Sequence, residues 1–96
     1  MNVENKERSL RKKLTAYEEQ EAVLIAKQRR VFARLEDVEA KGYHYLTQLQ
    51  SKDEYIAQAI QASQRMKQDL SEQVQREQKR LVHKQDILRE KLKKLN

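Results

Sequence analysis

The chain has no cysteine, no proline, no tryptophan and a single glycine among its 96 residues. Without cysteine it can form neither disulfides nor thiolate metal sites. Without proline, and with glycine only at position 42, it lacks the residues that most often interrupt helices. Four tyrosines and one phenylalanine leave little to fill a wide core. This composition favours long helices that each bury one face.

Long hydrophobic runs are also missing. The longest apolar run is five residues, 22–26, whereas a membrane-spanning helix needs about 20. The first ten residues are polar and charged, unlike a secretory signal peptide. We therefore expect a cytoplasmic protein without membrane insertion, and any co-export with a client would use a Sec-independent route.

Patterns associated with catalysis are missing as well. The sequence contains no glycine-rich phosphate loop and no nucleophile elbow. Carboxylates paired along a helix, such as Glu36 with Glu39, lack the Glu-x-x-His motif of di-iron bundles. We expect no enzymatic activity, no cofactor and no metal.

The charge that is present is mostly basic and lies mainly near the C-terminus. The net charge is +6, and residues 76–96 carry eight bases against three acids. Basic doublets such as Lys12-Lys13 and Lys93-Lys94 are interspersed with acids and belong to no known DNA-binding motif. They are typical of solvated helix faces, so nucleic acid is not an expected partner.

The strongest pattern is an apolar residue at every seventh position of the first half of the chain. The repeat consists of Val3, Leu10, Tyr17, Leu24, Val31 and Val38. Leu14 and Leu35 lie four residues after members of this series, and Ile25 and Phe32 widen it. Such a stripe lies on one side of an α-helix and faces another helix. It predicts helix 1 over about residues 3–41, supported by the one-turn ion pairs Glu7–Arg11 and Asp37–Lys41.

A helix stop is predicted at Gly42, since glycine is common just after a helix C-terminus. Ser51 to Glu54 has the capping-box pattern of a helix start. Residues 43–50 could be a loop, a short turn or the first turns of helix 2, and we favour the last because the three-four apolar spacing has already begun. Helix 2 is therefore predicted over about residues 45–95.

A reversal at Gly42 would place Val3 opposite about residue 81, because each helix rises about 1.5 Å per residue. Residues 82–96 would then overhang, leaving Leu88, Leu92 and Leu95 without an internal partner. The predicted fold is all-α: a single domain, residues 1–96, forming an antiparallel two-helix hairpin with a turn near Gly42. The alternative is one long coiled-coil rod, because the helix 1 register continued through Gly42 places Tyr45 on the same seam.

The length, the aromatic turn Gly42-Tyr43-His44-Tyr45 and the Gln-, Lys- and Leu-rich second helix resemble the small accessory proteins of LXG-type toxins of type VII secretion. The secreted WXG hairpins carry tryptophan where this chain has Ala40, and no tyrosine lies beyond Tyr55 to form their C-terminal export signal. The resemblance therefore implies a targeting factor or chaperone that binds the helical N-terminal region of a toxin.

From the residues we expect a protein-binding adaptor that packs on a larger helical client, with a second small helical partner as a further candidate. The rival hypotheses are a structural homo-oligomer without a client and an export-apparatus stalk or chaperone of another secretion system. The predicted partner-binding residues are Leu10, Leu14, Tyr17, Leu24, Ile25, Val31, Phe32, Leu35, Val38, Leu81, Leu88 and Leu92.

Overall fold

The computed structural model describes residues 3–48 and 53–95. Helix α1 spans Val3–Gln48 and helix α2 spans Glu54–Leu95. The two helices pack against each other, and the described residues contain no strand. The predicted all-α helical hairpin is confirmed. Over the described residues, neither helix contains a stretch apolar enough to cross a membrane.

Helix α2 begins at an aspartate cap. The Asp53 carboxylate oxygen Oδ1 accepts hydrogen bonds from the backbone N–H groups of Tyr55 at 2.9 Å and Ile56 at 3.4 Å. These are two of the N–H groups that the first turn of a helix leaves without a partner. The predicted capping box began at Ser51, which lies outside the described residues.

The chain divides into two compact units, and the one that contains the connection is Lys27–Gln73. Within it, Gly42 lies against Ile60, and Glu39 pairs with Lys67. Residue numbers fall along α1 as they rise along α2, so the helices are antiparallel here. The most buried positions of this unit are Ile60, Ser63 and Glu39, which are 5%, 4% and 8% exposed.

The other unit combines Met1–Ala26 with Val74–Asn96. Its buried apolar residues are Val74, Leu81 and Leu88, all on α2, and Leu81 is only 1% exposed. The facing side of α1 contributes half-buried residues, among them Leu14 and Leu24. This unit therefore has its own apolar core.

Gly42 does not end the first helix, contrary to the sequence prediction. It lies within α1, which continues to Gln48. A Cβ atom at Gly42 would lie 3.1 Å from both Cδ1 and Cγ1 of Ile60, so the glycine allows α2 to approach closely. Residues 43–48 accordingly belong to helix 1 and not to helix 2, and the connection falls between Gln48 and Glu54.

The expected C-terminal overhang is also wrong. Leu88 is buried, with 7% exposure, and Leu92 and Leu95 are half-buried. Because the connection comes several residues later than predicted, each α2 residue meets a later part of α1: Gln85, for example, bonds to Glu21. The segment after Leu81 therefore packs inside the hairpin.

The strict seven-residue stripe does not stay in the helix interface. Val31 and Val38 are 40% and 52% exposed, whereas Phe32 and Leu35 are half-buried. A straight helix has 3.6 residues per turn, so a seven-residue repeat drifts by about 20° per heptad around its surface. After Leu24 the buried side of α1 passes to a neighbouring row of residues.

Candidate functional site

A buried ion pair joins the two helices in the unit Lys27–Gln73. Lys67 Nζ donates to Glu39 Oε2 at 2.9 Å, and both side chains are largely covered. The hydrogen bond from Lys67, with a smaller contribution from Ser63, holds the pKa of Glu39 below its usual value against the opposing effect of burial. The Ser63 hydroxyl also donates to the Leu35 carbonyl oxygen at 3.3 Å. These contacts fix one register between the helices.

A second polar layer lies in the unit that contains the chain termini. The Glu21 carboxylate accepts hydrogen bonds from Gln85 Nε2 at 3.0 Å and from Gln78 Nε2 at 2.9 Å. The bond from Gln85, followed by that from Gln78, lowers the pKa of Glu21. Nearby, Lys84 Nζ lies 5.3 Å from the centre of the Tyr17 ring. Each of these contacts joins α1 to α2, so this interface is specified by polar pairing as well as by apolar burial.

Most of the predicted partner-binding residues are covered by the chain itself. Leu81 and Leu88 are buried. The half-buried members of the set are Leu10, Leu14, Tyr17, Leu24, Ile25, Phe32, Leu35 and Leu92. Only Val31 and Val38 are exposed. The sequence pattern located an interface, and the larger part of it is the one between the two helices of the hairpin.

Three apolar side chains form an exposed row on the C-terminal half of α1. Val31, Val38 and Tyr45 recur every seventh residue and are 40%, 52% and 43% exposed. They share one side of the helix, because two turns nearly close a seven-residue repeat. We call this row, Val31 with Val38 and Tyr45, the outer stripe.

The outer stripe lies beside an exposed part of α2. At the opposite edge of the interface, Gln64 Nε2 donates to the Tyr43 hydroxyl at 3.2 Å. Tyr45 comes two residues after Tyr43, and Met66 comes two residues after Gln64. Two residues correspond to a rotation of about 200° around a helix axis, so Tyr45 and Met66 lie away from that edge, on the side of the outer stripe. Met66 is 57% exposed. Met66 therefore lies on the same side of the hairpin as the outer stripe.

The aromatic segment predicted as a turn is helical, with Tyr43 and Tyr45 on different sides of α1. Tyr43 is 50% exposed and bonded to Gln64, whereas Tyr45 continues the outer stripe. His44 is exposed. The described residues contain no group of three or more His, Cys, Asp and Glu side chains placed to hold a metal ion.

The sequence prediction missed the inward positions of Glu39 and Gln85, and it missed Tyr45 as part of a surface. The signal for the polar positions was the three-four spacing itself, which places Glu39 four residues after Leu35 and Gln85 four residues after Leu81. Spacing alone does not predict that these two residues are buried, because glutamate and glutamine are usually exposed. The signal for Tyr45 was its seven-residue spacing from Val38.

Comparison with known proteins finds no family model, no curated protein and no solved structure that matches this chain.

Proposed function

We propose that this protein is a helical adaptor that binds a helix of a larger client along the outer stripe. The observation that carries this proposal is the exposure of Val31, Val38 and Tyr45 at seven-residue spacing. Heptad spacing of apolar side chains is the pattern by which one helix packs against another. The interface with α2 uses other residues of α1, so the outer stripe is available to a third helix.

The geometry of the hairpin supports an adaptor in preference to a catalyst. The depression between Lys6, Leu10 and Leu95 is an open groove on the surface of the helices. A client helix needs a row of apolar side chains on a firm support. Buried contacts such as Glu39–Lys67 supply that support by holding the C-terminal half of α1 in place.

For the client we propose the helical N-terminal region of an LXG-type toxin, with the adaptor acting as a targeting factor for type VII export. Support for this assignment comes from the chain's length, its helical hairpin form and the composition of its second helix. A structural homo-oligomer and a stalk or chaperone of another secretion system are the alternatives that the experiment below must exclude.

The experiment is co-purification of the full chain with the N-terminal region of such a toxin encoded beside it. Replacing Val38 by Asp should reduce the recovered client at least about tenfold, because a charge would be buried in the contact. Ala40→Asp is the matched control, because Ala40 is exposed on the same helix but lies about 200° around its axis from Val38. Equal loss in both variants, or full retention in Val38→Asp, would contradict the proposal.

A further inference from the structure

The outer stripe is interleaved with a row of cations. Lys27, Arg34 and Lys41 also recur every seven residues, and with Val31, Val38 and Tyr45 they form one continuous three-four series along α1. All six side chains are exposed. We call Lys27, Arg34 and Lys41 the basic row. No acid occupies a position in this series.

The basic row is largely free to meet another charge. Neither Lys27 nor Arg34 forms an ion pair within the described part of the chain. Lys41 pairs with Asp37 at 3.0 Å, but these side chains are 78% and 61% exposed. An exposed one-turn pair contributes little to stability, so a carboxylate of a partner can compete for Lys41.

We propose that the partner segment is an acidic amphipathic helix in which apolar side chains alternate with Asp or Glu at three-four spacing. This inference rests on the proposed function and adds the chemistry of the client. Successive cations lie about 10.5 Å apart along the helix axis, the distance spanned by seven residues of a second α-helix. A partner carboxylate at every seventh position can therefore face each member of the basic row.

Two other occupants fit less well. A second copy using the same surface would bring its own Lys27, Arg34 and Lys41 against this row, and like charges at such a contact are destabilising. A nucleic acid could neutralise the cations, but its phosphates would leave Val31, Val38 and Tyr45 uncovered. An acidic helix satisfies both the cations and the apolar side chains.

The test uses three synthetic probe helices of three heptads each, with leucine at the apolar positions and Glu, Gln or Lys at the alternating ones. Their dissociation constants for the full chain are measured by fluorescence anisotropy. The Glu probe should bind about tenfold more tightly than the Gln probe, the difference expected from three exposed ion pairs. The Lys probe should bind most weakly, and added salt should reduce these differences.

Reversing the basic row in the triple variant Lys27→Glu, Arg34→Glu and Lys41→Glu should transfer the preference to the Lys probe. The matched control reverses three exposed lysines elsewhere, Lys12, Lys13 and Lys93, and should keep the preference for Glu. Circular dichroism verifies that both variants remain helical.

Each outcome separates the inference from the function on which it rests. Equal binding of the Glu and Gln probes overturns the acidic partner but leaves a helix-binding adaptor. Failure of all three probes to bind the folded chain overturns both. Tighter binding of a duplex DNA of similar length than of the Glu probe, or self-association that the triple reversal strengthens, also overturns the acidic partner.

Discussion

Glu39 makes the stability of the hairpin sensitive to acid. The hydrogen bond from Lys67 lowers its pKa, so the ionised carboxylate stabilises the folded state. This contribution is complete above the ordinary glutamate value of about 4.5 and is lost as the pH falls through the lowered value of the folded state. We predict that the free energy of unfolding decreases below pH 4.5, and that Glu39→Gln reduces this decrease.

Urea unfolding followed by circular dichroism between pH 7 and pH 3 measures the effect. Glu36→Gln is the matched control, because Glu36 is an exposed glutamate on the same helix. If the free energy of unfolding depended on pH in the same way in Glu39→Gln and in the wild-type chain, the pair Glu39–Lys67 would not stabilise the folded state in solution. Glu21, whose pKa is lowered chiefly by Gln85, should add a similar acid sensitivity in the other unit.

The α1–α2 contact at Gly42 depends on the missing side chain. Alanine in place of a mid-helix glycine normally stabilises a helix by about 1 kcal/mol. Here the new methyl group would crowd Ile60, with carbon atoms 3.1 Å away. We predict that Gly42→Ala alone raises the free energy of unfolding by less than this amount. In a chain that already carries Ile60→Ala, the same substitution should raise it by the full amount.

A double-mutant cycle on the free energy of unfolding isolates this coupling, which should be on the order of 1 kcal/mol. If the two substitutions were simply additive, the close approach of α2 to Gly42 would be refuted. The cycle also distinguishes the packing role of Gly42 from the helix-stop role that the sequence predicted. If Gly42 ended the helix, the effect of Gly42→Ala on the free energy of unfolding would not depend on Ile60.

The C-terminal part of α2 offers two neighbouring residues in opposite environments. Leu88 is 7% exposed and Ile87 is 42% exposed. Leu88→Ala should cost about 3 kcal/mol in unfolding free energy through lost burial and a new cavity, and Ile87→Ala should cost less than about 1 kcal/mol. Chemical denaturation measures both changes in the free energy of unfolding. If this segment overhung the hairpin, both substitutions would lower that free energy only slightly.

The elements themselves were largely predictable. The absence of proline and the seven-residue repeat predicted two long helices, and Glu7–Arg11 and Asp37–Lys41 form as expected at 2.9 and 3.0 Å. The position of the connection was not predictable, because glycine suits both a helix stop and a close helix contact. Only the burial of Ile60 against Gly42 decides between these roles.

For the whole molecule, that difference in the connection changes which surface is left for a partner. A turn at Gly42 would leave Leu88 and Leu92 unpaired, whereas the observed pairing covers them and leaves the outer stripe exposed. The sequence repeat contained both surfaces, since Val31 and Val38 belong to the same series as Leu24. The drift of a straight helix separates them, and the period of the repeat alone does not show where the separation occurs.

We propose a hairpin that covers its own seam within one chain and keeps its outer stripe for a different protein. Sedimentation equilibrium of the purified chain over a range of concentrations tests this directly. We predict a helical monomer of 11.5 kDa, because the seam is filled internally and the basic row opposes self-pairing. A stable dimer of twice that mass, disrupted by Val38→Asp but not by Ala40→Asp, would contradict this prediction and favour a structural homo-oligomer.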